Sequence, residues 1–349
     1  MPTCEFTFDR DTAVYVCGEK LSGSLAVAFT KERLLEDIRI DFSGKATVSW
    51  VDTMARFPKL YSAEETYMEM ETVVFQGGLL KPNTYNYRFN YLIPDICPTT
   101  CTTDIGRIYY ELSLILSFLD KTHDKKETRK FTHEILVVQV FNIDKVPNAL
   151  VSYKVLVQLT EIYSKTMVPI QNPMQLPVIR NDEIFFCCWP CSAGPISIHL
   201  KTASGAYIPG NTINFSIEVN NMSKRCEFRT HITASFMQVY KFTTQVPRRR
   251  TRYISYILNS VEHRIIVKTD DIASLDEKFV VPPLPPSTQG THIISIKYEL
   301  RLETRISYIT QTTSDLTLPI LIGTSADITP EHTVSPSAVY IKYYCIIYS

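Results

Sequence analysis

Apolar and polar residues alternate with a period of two along most of the chain, the pattern of half-buried β-strands whose successive side chains face opposite sides. In Tyr85-Asn-Tyr-Arg-Phe-Asn-Tyr91 four aromatics share one face, with Asn86, Arg88 and Asn90 on the other. The stretches Ile38-Arg-Ile-Asp-Phe42, Ile196-Ser-Ile-His-Leu-Lys201 and Ile213-Asn-Phe-Ser-Ile-Glu-Val219 repeat the rule, so their apolar side chains are expected in a core. Helical periodicity is nearly absent. Only Lys31–Asp37 and Ala63–Met70 have the charge density of helices, and each is too short to stand without tertiary support. Many short strands separated by Gly, Pro and Asn turns predict antiparallel β-sandwiches rather than a parallel α/β sheet.

The pattern occurs twice. Tyr15-Val-Cys-Gly18 resembles Tyr207-Ile-Pro-Gly210, each followed by an alternating strand, and each glycine predicts a backbone turn that a Cβ would hinder. Tyr110-Glu-Leu112 matches Tyr298-Glu-Leu300 in the same register as Pro94 with Pro282 and Pro98 with Pro286. A proline-rich loop ahead of each strand must run outside the sheet, because proline cannot donate to a strand ladder. Three prolines in Val168-Pro-Ile-Gln-Asn-Pro-Met-Gln-Leu-Pro177 mark a joint between the copies. The expected division is a first domain over 1–167, a linker over 168–183, a second domain over 184–323 and a short tail over 324–349.

Composition narrows the class. The 349 residues are enough for two ordinary domains, and 45% apolar with 21% charged residues is the balance of a folded globular protein. Lys plus Arg equals Asp plus Glu at 36 each, so no long-range field draws the molecule to nucleic acid, and any charged site is local. The first ten residues lack a basic stretch followed by an apolar one, and no window reaches the ~18 apolar residues of a membrane span. Nine irregularly spaced cysteines fit reduced thiols better than an extracellular disulfide framework, so a cytoplasmic protein is expected.

Several segments, in order, carry a family resemblance. They are Phe8-Asp-Arg10, Tyr15-Val-Cys-Gly-Glu-Lys-Leu-Ser-Gly23, Phe42-Ser-Gly-Lys-Ala46 with Trp50, Tyr87-Arg-Phe-Asn-Tyr-Leu-Ile-Pro94, Gly106-Arg-Ile-Tyr-Tyr-Glu-Leu112, Cys187-Cys-Trp-Pro-Cys-Ser-Ala-Gly-Pro-Ile196 and Tyr207-Ile-Pro-Gly210. Over residues 5–323 the chain resembles the arrestin family, specifically its α-arrestin branch. The resemblance implies an all-β protein of two tandem arrestin-type, immunoglobulin-like antiparallel sandwiches. It also implies a non-enzymatic adaptor that engages cytosolic tails of membrane proteins or receptors and directs them to ubiquitination, endocytosis or sorting, with recruitment to plasma membrane or endosomes. Two features of the family are missing from the sequence. It contains no Pro-Pro-x-Tyr motif for WW-domain ubiquitin ligases, and Phe8 to Lys20 has no paired lysines with which visual and β-arrestins sense phosphate. A scaffold that only sequesters partners is the alternative.

Four candidate features remain. Arg248, Arg249, Arg250 and Arg252 lie between two strand-like segments, where guanidinium forks suit acidic tails or phosphoinositides, or simply solvate a hairpin tip. Pro282-Pro-Leu-Pro-Pro286 has the composition of an SH3 or WW ligand and equally that of a structural loop. Cys187, Cys188 and Cys191 include a Cys-x-x-Cys spacing but no second ligand pair, so neither a metal nor another cofactor is expected. The seven histidines are scattered, with His199 and His231 reading as outer-face residues, and no nucleophile elbow, phosphate-cradling loop or metalloprotease motif is present.

Overall fold

The computed structural model describes residues 2–10, 14–53, 57–119, 126–143, 177–185, 195–223, 226–288, 290–307 and 311–324. The described residues form strands throughout, with no α-helix. In the first lobe, β1 (Thr3–Phe8), β2 (Val14–Val16), β3 (Lys20–Phe29), β4 (Arg33–Asp52), β5 (Lys59–Phe75), β6 (Gly78–Leu80), β7 (Asn83–Leu92), β8 (Cys101–Thr102), β9 (Gly106–Leu119) and β10 (Lys126–Val138) follow one another. They build one sheet of order β1-β3-β7 and a larger one of order β2-β10-β9-β4-β5, with β6 added to β4 and β8 to β9. The second lobe has β11 (Val178–Ile184), β12 (Ile196–Thr202), β13 (Ala206–Tyr207), β14 (Thr212–Asn221), β15 (Phe228–Thr244), β16 (Arg250–Val267), β17 (Asp271–Val280), β18 (Ile294–Ser307) and β19 (Gln311–Ile322). Its sheets run β11-β12-β14-β17 and β13-β19-β18-β15-β16.

The alternation seen in the sequence becomes the core. Ile38, Ile40 and Phe42 are buried on β4, as are Phe89 and Tyr91 on β7, Ile198 and Leu200 on β12, and Ile213, Phe215, Ile217 and Val219 on β14. The three polar residues between the β14 apolar positions, Asn214, Ser216 and Glu218, stay on the other face, the half-buried pattern that period two requires.

Neither stretch with helix-like charge density is helical. Lys31–Asp37 runs into β4, where Arg33–Leu35 pairs with β6 and Asp37 with Ser117 of β9. Ala63–Met70 lies inside β5, paired along β4. Charge density misled here because β5 is an edge strand, where carboxylates stand in solvent on a strand as readily as on a helix. The four-stranded sheet also begins earlier than the prolines suggested. Strand β11 pairs with β12 from Val178 to Ile184, all but its last residue inside the span 168–183 expected as linker, while 168–176 lies outside the described residues.

The duplication is visible in topology and numbering. Strands β7 and β17 start at 83 and 271, β9 and β18 at 106 and 294, a constant spacing of 188. Each lobe pairs one short strand in parallel with the last strand of its larger sheet, β2 with β10 and β13 with β19. Gly18 and Gly210, which follow those short strands, both take positive φ, at 86° and 90°.

Two buried tyrosines fix the proline loops. The Tyr110 hydroxyl donates to the Pro98 carbonyl at 2.7 Å, and the Tyr298 hydroxyl to the Pro285 carbonyl at 2.6 Å. The second acceptor is Pro285 rather than Pro286, so that loop slips one residue against its strand. Gln238 Nε2 also donates to the Tyr298 hydroxyl at 3.1 Å. Leu284 and Pro286 are buried in the same loop, so Pro282–Pro286 is part of the sandwich wall and not a free polyproline ligand.

Tyr298→Phe keeps the ring but leaves the Pro285 carbonyl without its donor, which costs about 1–3 kcal/mol for a buried polar group. Urea denaturation should show a lower midpoint for the variant; an unchanged midpoint would mean the hydroxyl has no role in holding the loop.

Candidate functional site: the basic hairpin and the seam between the lobes

The four arginines separate into two pairs. Strand β15 ends at Thr244 and β16 begins at Arg250, so residues 245–249 form the turn between two long antiparallel strands. Arg248 and Arg249 are exposed at the tip. Arg250 and Arg252 reach the first lobe. Arg250 Nη1 donates to Asp52 Oδ2 at 2.6 Å, and its guanidinium carbon sits 4.8 Å from the Tyr61 ring centroid. The Arg252 guanidinium lies 5.7 Å from the Trp50 ring. Trp50 and Tyr61 are cross-strand partners on β4 and β5, stacked at 6.1 Å with a 17° interplanar angle. A guanidinium over an aromatic face is worth about 0.5–1 kcal/mol where exposed and more where water is excluded.

Backbone atoms complete the grip. Ser62 donates its N–H to the Val246 carbonyl at 2.9 Å, and Gln245 and Val246 N–H both donate to the Ser62 carbonyl at 3.0 Å. The larger sheets of the two lobes are thereby joined at one point. Nearby, Gly106 opens β9 under Phe242 and Ile294; a Cβ there would lie 2.9 Å from the Phe242 ring, so the close approach needs glycine. On the other side Thr324 N–H donates to the Phe141 carbonyl at 2.8 Å, and Phe141 N–H to Thr324 Oγ1 at 3.0 Å.

Glu65 is a site residue that the sequence did not reveal. Its Oε2 accepts the N–H groups of His292 at 3.1 Å and Ile293 at 3.3 Å, its other oxygen meets the His292 ring, and the Tyr67 hydroxyl donates to Oε2 at 3.1 Å. Burial alone would raise the Glu65 carboxyl, but the hydrogen bonds from His292, Ile293 and Tyr67 hold it below its ordinary value of 4.5. One carboxylate of β5 thus receives the loop that leads into β18.

An apolar rim lies next to the tip. Val51 and Leu60, cross-strand partners, are exposed with Phe57 at the end of the β4–β5 hairpin, and Val246 is exposed beside Ser62. The other candidates fall elsewhere. Cys187, Cys188 and Cys191 lie outside the described residues. Cys17, Cys97, Cys101 and Cys226 are buried thiols outside any disulfide, and Cys4 is half-buried. His199 is half-exposed on β12, and His231 Nε2 lies 3.4 Å from Glu262. Among the described residues no group of His, Cys, Asp or Glu is placed to hold a metal, and no helix is long and apolar enough to cross a membrane.

Comparison with known proteins now decides the family. Residues 4–144 match the profile of the arrestin (or S-antigen) N-terminal domain, and residues 192–326 that of the arrestin (or S-antigen) C-terminal domain. The chain belongs to the arrestin family. It is similar to arrestin domain-containing protein 17 of Caenorhabditis elegans, with 22% identity over 335 residues, covering 91% of this chain and 70% of that protein. Human arrestin domain-containing protein 5 shares 21% identity over 325 residues, covering 90% and 85% respectively. Human arrestin domain-containing protein 4 shares 22% over 330 residues, covering 90% and 69%. Arrestins are generally non-enzymatic adaptors that bind membrane receptors or cargo, and this chain shares their pair of domains.

The seam has a pH signature. Because the folded-state pKa of Glu65 lies below its ordinary value, its contribution to stability is complete above about pH 4.5 and is lost as pH falls through the lowered value. Glu65→Gln should be less stable than the parent at pH 7, with the gap narrowing below pH 4 in urea titrations. An equal gap at both pH values would exclude the carboxylate as the clasp.

Proposed function

We propose that this arrestin-family chain is a cytoplasmic adaptor that binds cytosolic parts of membrane proteins for endocytosis, sorting or ubiquitin-dependent trafficking, with the β15–β16 hairpin as its contact for anionic partners. The observation that supports this reading most is the division of labour within the arginine cluster. Arg250 and Arg252 are engaged by Asp52, Tyr61 and Trp50, which holds the turn in one orientation, while Arg248 and Arg249 project into solvent at its tip. Two guanidinium groups presented by an anchored turn lose little freedom when they meet a carboxylate or phosphate, and such charge-assisted bonds are the strong ones. The exposed Val51, Phe57, Leu60 and Val246 add an apolar margin suited to a site that works close to a bilayer.

The sandwich pair offers a second surface, so cargo and a sorting component held together gain from effective concentration. These 349 residues contain no Pro-Pro-x-Tyr motif, so direct recruitment of a WW-domain ligase is not part of the proposal. That same observation favours a second reading, a scaffold of the same fold that sequesters partners. Proximity labelling in cells separates the two: an adaptor enriches receptors, endosomal proteins and ubiquitin ligases, and a scaffold enriches none of them.

Arg248→Glu with Arg249→Glu should abolish association with anionic vesicles or phosphorylated receptor-tail peptides in co-sedimentation, while the melting temperature stays that of the parent. Retained association in the double variant would reject the hairpin as the contact.

A further inference from the structure

Strands β5 and β16 occupy the same place in the two copies, each the last member of its larger sheet; among the described residues the outer side of β5 is bridged only at Ser62, by Val246, and β16 is paired on one side only. An open edge presents unpaired N–H and C=O groups, and proteins normally blunt it with charge. Strand β5 does so: Lys59, Glu64, Glu65, Glu69 and Glu71 leave it no uncharged run longer than four residues. Strand β16 does not. Its charges are confined to Arg250 and Arg252, turned to the first lobe, and to Glu262, His263 and Arg264 at the far end, leaving nine uncharged residues from Tyr253 to Val261.

A bulge divides that stretch. The register with β15 shifts between Phe236 and Met237, so Leu258 is the extra residue, and it packs toward the core. The regular part of the edge is Tyr253–Ile257, five residues or about 17 Å of strand. Within it Tyr253 and Ile257 stand on the outward face, 62% and 64% exposed, with Ser255 making a gap between them. The surroundings are cationic. Lys241 is paired with Tyr253, Lys297 stands in the same cross-sheet row as Ser255, and Arg248 and Arg249 close the end toward the tip. The first carboxylate on that face, Glu299, lies in the row of Ile257 and marks the other end.

We propose that the Tyr253–Ile257 edge of β16 takes an extended peptide as an added strand, with apolar side chains at alternate positions over Tyr253 and Ile257 and acidic residues at the end beside Arg248 and Arg249. Backbone hydrogen bonds to the open edge supply affinity and the alternate pockets supply selectivity, as in other strand additions. The inference rests on the reading of the hairpin as an anionic contact and adds the binding geometry and the class of partner.

The test uses the full chain and a fluorescent peptide of two aspartates followed by three valine–threonine repeats, read by anisotropy. Saturable binding is expected. N-methylation of alternate peptide nitrogens in one register should weaken it by about tenfold or more, whereas the other register tolerates it, because only one set of N–H groups faces the edge. Tyr253→Lys with Ile257→Lys should cause a similar loss at an unchanged melting temperature, since both side chains are exposed. Absence of binding, equal tolerance of N-methylation in both registers, or full binding by the lysine variant would overturn the proposal. If Arg248→Glu with Arg249→Glu removes vesicle association while the lysine variant binds peptide normally, the edge inference fails and the hairpin reading survives. If the lysine variant alone loses peptide and the glutamate variant loses nothing, the hairpin reading fails and the acidic end of the proposal with it. Sedimentation velocity supplies one further contrary outcome: a dimer that the lysine variant abolishes would assign the edge to a second copy of the chain.

Discussion

The grip of the second lobe on the first is the constraint on which the rest of this molecule depends. Two sandwiches can each bury a core and still swing freely about their joint, because each core is satisfied internally. Here three backbone hydrogen bonds join Ser62 to Gln245 and Val246, and one carboxylate, Glu65, fastens the start of β18. Arg250 and Arg252 then lay their guanidinium groups on the Tyr61 and Trp50 rings. None of these contacts is strong alone, since a single net hydrogen bond contributes about 0.5–1.5 kcal/mol. Together they decide where the tip carrying Arg248 and Arg249 points, and they occupy the first residues of β16 so that its open edge starts at Tyr253.

Duplication explains both the likeness and the specialisation of the lobes. The copies keep what a sandwich needs: the turn glycines Gly18 and Gly210, the short parallel strands, and the tyrosines that tie the proline loops to Pro98 and Pro285. They diverge where neither core is at stake. On the outer strand of one copy the Glu65 carboxylate has become a clasp across the seam, while the matching strand of the other has lost its central charges. Adaptor work in an arrestin needs such surface differences and no reaction centre.

The strands and the duplication were legible in the sequence because both are local patterns. Alternation in Tyr85–Tyr91 or Ile213–Val219 follows from the pleat, and a spacing of 188 survives as long as loops keep their length. Charge density is a poorer guide, as Ala63–Met70 shows: its glutamates suggested a helix, yet they belong to a strand whose edge they guard. The site was half legible. Arginine clustering marked the β15–β16 hairpin as a candidate, but Arg250 and Asp52 are 198 positions apart and His292 and Glu65 are 227 apart, and no pattern within either segment announces the other. The open edge of β16 was equally hidden, since a run such as Tyr253–Val261 reads as an interior strand until the sheet order is known.

Native-state hydrogen exchange at the amides of Ser62, Val246, His292 and Ile293 tests the account most directly, because these four N–H groups donate only across the seam. The account predicts that all four are protected together, far beyond exposed amides of the Arg248–Arg249 tip, and that Glu65→Gln lowers protection at His292 and Ile293 first. Exchange of all four at the rate of those tip amides would contradict it, for the lobes would then move independently and nothing would hold the hairpin in place.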